Sequence, residues 1–107
     1  MFLTNGSDIY ISRGEGASLE VAVSSGGEPY EMQTGDALIL EVREHRGAVP
    51  ALRIESEKSP IVLEPEHTVG LAGRYDYRVV LRYASGAQTT VIGRTPNRVP
   101  KFIVMEG

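Results

Sequence analysis

The chain has no cysteine and no tryptophan, and only two histidines and two phenylalanines. Without cysteine there is neither a disulfide framework nor a thiolate metal site, so stability has to come from packing. A basic surplus is also lacking: the formal net charge is −3. Nucleic-acid binding needs a basic stripe against phosphate, which excludes a generic DNA or RNA partner. Arg74, Arg78, Arg82, Arg94, Arg98 and Lys101 gather late in the chain, but they are interleaved along an expected solvent face rather than clustered. No apolar run approaches the roughly 20 residues that span a bilayer, so no membrane partner is expected. The opening residues, MFLTNGSDIYIS, have no basic start before an apolar run; they read as the start of a cytosolic product rather than a signal peptide.

What is present is ordinary for a folded domain. The 107 residues carry 41% hydrophobic and 23% charged side chains, which fits one domain over residues 1–107. Twelve glycines suit a fold with many tight turns. The most regular stretch starts at Gly73. Tyr75, Tyr77, Val79, Leu81 and Tyr83 fall on one face, while Arg74, Asp76, Arg78 and Arg82 fall on the other, with Val80 the apolar exception. Side chains on a strand alternate between faces, so this is a long strand with a buried and a wet side.

Other strands follow from the same period. Ile9 and Ile11 alternate after the turn signal Asn5-Gly6-Ser7, and Ala17, Leu19, Val21 and Val23 alternate after Arg13-Gly14-Glu15-Gly16. Ser24 to Asp36 reads as the longest loop, where Pro29 bars a central strand, and loops of that length often touch partners. Leu38, Leu40 and Val42 mark the next strand, Val49 to Glu55 a shorter one, and Ile61 to Leu63 another. Pro65-Glu66-His67-Thr68 suits a single helical turn, with proline and an acid at its start. Ala84-Ser85-Gly86 is a hairpin turn, Gln88 to Gly93 returns, Thr95 to Arg98 is a loop, and Val99 to Met105 closes the chain. About eight short strands at this spacing predict an all-β, immunoglobulin-like antiparallel β-sandwich.

Gly73-Arg74-Tyr75-Asp76-Tyr77 has the form of an immunoglobulin-type tyrosine corner, with Tyr75 at the corner and Tyr77 where such domains usually carry a cysteine. That missing cysteine excludes an antibody-like domain but not the sandwich. In combination, Gly27-Glu28-Pro29-Tyr30-Glu31-Met32 before the strand Ala37 to Arg43, then Ile61 to Thr68, Gly70-Leu71 and Gly73-x-Tyr75-x-Tyr77, resembles the small β-sandwich proteins of tailed phages and prophages. It is similar to the N-terminal domain of the baseplate upper protein, and the likeness runs from residue 7 to 105, with Met32 where leucine is expected. The resemblance implies a non-enzymatic structural protein of a tail or baseplate. Such a protein would be made in the host cytoplasm, be carried in the virion tail, and assemble with other tail proteins or with itself as a homo-oligomer.

The residues themselves offer little chemistry, and no catalytic, cofactor or metal site is expected. His67 stands beside Glu64 and Glu66, but Pro65 sets the acids in a turn open to water, and His45 reads as a surface residue. Glu55 and Glu57, or Glu64 and Glu66, share a face as acid–base pairs would, yet nothing in the sequence supplies a cleft. Gly14-Glu15-Gly16 is followed by no helix, so it does not cradle phosphate. Tyr10 and Tyr30 are candidate partner contacts, and the same residues would carry the alternative of a carbohydrate-binding or adhesin-like module. Phe102 joins them as a candidate, because the closing strand is apolar on both faces (Phe102 and Val104; Ile103 and Met105) and must be buried or covered by a partner.

Overall fold

A computed structural model describes residues 2–5, 8–25, 27–45, 47–93 and 99–106. The turn residues Gly6 and Ser7, Gly26, Arg46, Arg94 and the loop Thr95 to Arg98 lie outside the described residues. The elements run β1 (Phe2–Asn5), β2 (Asp8–Ser12), β3 (Ala17–Leu19), β4 (Ser24–Ser25), β5 (Glu28–Pro29), β6 (Ala37–Arg43), β7 (Leu52–Ser56), β8 (Ile61–Leu63), α1 (Pro65–Val69), β9 (Gly73–Arg82), β10 (Gln88–Ile92) and β11 (Lys101–Met105). Seven strands form one sheet in the order β1-β2-β11-β9-β6-β7, with β10 also pairing β9. The strands β3 and β8 form a second, small sheet, and β4 pairs β5. Long β9 is shared on one edge: β11 takes Gly73 to Asp76 and β10 takes Val79 to Arg82. The pairs β6–β9, β9–β10 and β3–β8 are antiparallel, as expected of an immunoglobulin-like sandwich. One pairing is parallel, that of β2 with β11.

The core lies between the large sheet and the β3–β8 layer. Ile9, Ile11, Leu38, Leu40, Val42, Tyr75, Tyr77, Val79, Leu81, Phe102 and Val104 bury the inner face of the large sheet. Leu19, Val21, Ile61, Leu63 and Leu71 close it from the other side. The alternation read along β9 holds, and so does the helical turn at Pro65, whose start carries a reciprocal capping pair between Glu64 and His67.

Four boundaries differ from the expected ones. Phe2–Asn5 is itself a strand, paired with β2 from Asn5↔Asp8 outwards. The expected strand Ala17 to Val23 keeps its ladder only to Leu19. Beyond it the Val21 N–H donates to Ser59 Oγ at 3.0 Å instead of to a strand, while Val21 stays buried. The strand β7 starts at Leu52 rather than Val49, which is exposed, and β11 starts at Lys101 rather than Val99. In the last three cases the apolar period persists past the point where the strand ladder stops, whereas at Phe2–Asn5 pairing extends beyond the expected strand.

Candidate functional site

The outer face of the large sheet carries most of its charge, and the strand register sets that charge in rows. Arg53, Glu41 and Arg78 face one another across β7, β6 and β9, and Arg43, Asp76 and Lys101 do so across β6, β9 and β11. Each row places an acid between two bases. Glu41 accepts from Arg78 Nε at 2.6 Å and Arg43 Nη2 at 3.1 Å, and Arg53 Nε lies 4.0 Å away. Asp76 accepts from Lys101 Nζ at 2.6 Å. Glu55 accepts from Arg53 at 2.8 Å and Arg82 at 3.0 Å, which links the first row to the end of the sheet. Burial pushes the Glu41 carboxyl up, but Arg78 and then Arg43 outweigh it and hold it below the usual carboxylate range. Arg53 and Arg82 lower Glu55 in the same way.

Two clefts border this network. One, of about 400 Å³, is lined by Glu41, Arg43, Asp76, Arg78, Thr90 and Val99 among others. The second, of about 540 Å³, runs from Met32 to Ala37 and across to Glu55, Ser56, Glu57 and Arg82. A cleft therefore does exist beside Glu55 and Glu57, where none was expected. Glu55 is already bound by two arginines and held ionised, so it is a poor proton donor near neutral pH.

The Ser24 to Asp36 segment is tied down rather than free. Its β4–β5 ladder folds it back, and Tyr30 N–H donates to the Val23 carbonyl at 2.9 Å. Asp36, buried though acidic, receives the Tyr30 hydroxyl at 2.6 Å, Gln33 N–H at 2.9 Å and Ala84 N–H at 3.0 Å. Those donors, the Tyr30 hydroxyl first, hold its carboxyl below the ordinary range, and the same bond pushes the Tyr30 phenol up to about 12. The sequence marked Thr34-Gly35-Asp36 only as a turn. An acid directly before an apolar strand, beside a glycine with φ of +93°, was the available signal for a carboxylate turned inwards onto turn backbone.

The candidate contact residues do not come together. Phe102 is fully buried, edge-on to Tyr77 at 6.3 Å, so it is a core residue and not a partner contact. Its strand is paired on both edges, by β2 and β9; Phe102 and Val104 fill the core, while Ile103 and Met105 on the other face are half-buried. Tyr30, the loop candidate for a partner contact, is half-buried, packs edge-on to Tyr83 at 5.9 Å and has its hydroxyl taken by Asp36. Tyr10 is half-buried in register with Ile103 on the outer face, away from the core cluster that Tyr30 joins.

Tyr75 and Tyr77 are structural. The Tyr75 hydroxyl accepts from Ala72 N–H at 3.0 Å, the upstream backbone contact of a tyrosine corner. Burial, then the charge of Asp8, pushes the Tyr77 phenol up to about 12. His67 Nδ1 accepts from Glu64 N–H at 2.9 Å, while Glu64 and Glu66 are exposed, as is His45. Among the described residues no group of three His, Asp or Glu side chains is placed to hold a metal ion. No helix of the described chain is long and apolar enough to cross a membrane. No protein-family model matches the chain, and neither a curated protein nor a solved structure matches it.

Proposed function

We propose that this chain is a non-enzymatic structural module of a phage or prophage tail or baseplate, working through protein–protein contacts on its outer faces and strand edges. The observation that carries the assembly role is the sheet's end. The strand β7 pairs β6 on one side and, among the described residues, no strand on the other. An unpaired edge offers a row of backbone donors and acceptors to a neighbouring chain. Three of the acids beside the two clefts, Glu41, Asp76 and Glu55, are each paired with bases, which fits a structural role for them.

The tail assignment rests on the sequence resemblance, and the residues that carry it have physical roles in the sandwich. Leu63, Thr68, Leu71, Tyr75 and Tyr77 are all buried, and Gly73 has a φ of +91°. The glycan alternative needs Tyr10 and Tyr30 to share one platform, and it is weakened by their lying apart with Tyr30 engaged. The test is to induce prophage in the source strain, purify particles and label them with antibody raised against the chain. Label on the tail or its tip is expected. Particles free of the chain, in cells that express it, would overturn the tail reading.

A further inference from the structure

The free edge of β7 is self-complementary, and we infer that it pairs with β7 of a second copy in one antiparallel register, centred on Ile54. This rests on the reading of the chain as an assembly module and names its first partner. The strand reads Leu52-Arg53-Ile54-Glu55-Ser56 and is bounded by Pro50 and Pro60, which cannot donate to a longer ladder. Arg53 and Glu55 point to the outer face, where they lie in register with Glu41 and Ile39, whereas Ile54 lies in register with Leu40 on the inner face.

Antiparallel pairing about a two-fold axis at Ile54 sets Arg53 opposite Glu55 of the copy, and Glu55 opposite its Arg53. Moving the centre to Arg53 or to Glu55 would instead set two like charges face to face, which is unfavourable at directly opposed positions. Centring on Leu52 or Ser56 leaves too few residues paired to hold a ladder. The charge pattern therefore selects a single register.

The inner face agrees with this. Leu52 and Ile54 are only partly buried, although they pack against the core. In the centred register the two Ile54 side chains meet across the axis, and each Leu52 lies opposite Ser56. On the outer face, Arg53 and Glu55 have side chains 46% and 40% exposed, so each can take a further partner across the edge beside its intrachain bonds, 2.8 Å between the two and 3.0 Å from Arg82 to Glu55. The network Arg78–Glu41–Arg53–Glu55–Arg82 would then run on into the copy instead of ending at the edge. Both subunits use the same patch, so the contact closes as a dimer and does not propagate.

The test uses the full chain and two charge reversals. Arg53→Glu makes both opposed pairs acidic, and Glu55→Arg makes both basic, so each alone is expected to weaken self-association by about tenfold or more. Mixed in equal amounts, the two variants place an acid opposite a base at both positions, and the mixture should dimerise again by analytical ultracentrifugation. A mixture that stays monomeric, with both variants folded by circular dichroism, would overturn the register. In the unaltered chain, exchange of β7 edge amides should slow as protein concentration rises through the dimerisation range. A chain that stays monomeric with concentration-independent exchange would overturn the inference whatever the variants do. Tail labelling in purified particles alongside a monomeric chain would remove this inference and leave the tail reading standing. A β7 dimer from a chain absent from particles would do the reverse.

Discussion

Asp36 gathers three donors from two segments on one carboxylate: Oδ2 takes the Tyr30 hydroxyl and Gln33 N–H, and Oδ1 takes Ala84 N–H. Asp36→Asn keeps the shape but turns one acceptor into a donor facing a donor. Its thermal midpoint should fall clearly below that of the unaltered chain at pH 7, and the gap should shrink in acid. The sign follows from the lowered carboxyl. Its stabilisation is present above the ordinary carboxylate pKa of about 4 and is lost as pH falls through the lower folded value. Glu41 and Glu55 shift in the same direction and steepen the same acid limb. The alkaline limb belongs to Tyr30 and Tyr77, both raised to about 12. Their contribution is complete below the ordinary tyrosine pKa of about 10 and is lost as pH rises towards 12. Melts across the pH range, with Tyr30→Phe as the control for the alkaline limb, check both ends.

At the scale of elements, the crossing from the large sheet to the small one is held by α1. Thr68, fully buried, accepts Gly14 N–H at 2.9 Å and shares its hydroxyl proton between the Glu15 and Pro65 carbonyls. Gly16 sits beneath this junction, and a Cβ there would come 2.9 Å from the Leu63 carbonyl oxygen and 3.1 Å from Pro65 Cδ. Gly16→Ala should therefore cost about 1–3 kcal/mol by overpacking. Gly70→Ala, whose Cβ meets nothing within 4 Å, serves as the control in urea denaturation. Gly14-Glu15-Gly16 is legible in the sequence as a break between strands. That its second glycine is required by the approach of β8 and α1 is not, because those residues lie about fifty positions further on.

Over the whole molecule, Phe102 sits where both strand neighbours of β11 and the second layer meet. Its inner-face cross-strand partners are Ile9 and Tyr75. Phe102→Ala should cost about 3–5 kcal/mol. If the core is one cooperative unit, far-ultraviolet circular dichroism and tyrosine fluorescence will give coincident denaturation curves for the unaltered chain and the variant alike. Separate midpoints would show that the layers unfold apart.

Alternating runs such as Tyr75 to Leu81 and Leu38 to Val42 dictated the strands and the inward faces locally, because a two-residue period needs no knowledge of the neighbours. Glycine and proline placed the turns for the same reason. Which strand lies beside which was decided only in three dimensions. The parallel seating of β2 on β11, the burial of Phe102 between strands, the three donors around Asp36 and the open edge of β7 all depend on contacts between residues far apart in the chain. Backbone pairing and charge neutralisation are settled by spatial neighbours, and one-dimensional periodicity carries no record of who those neighbours are.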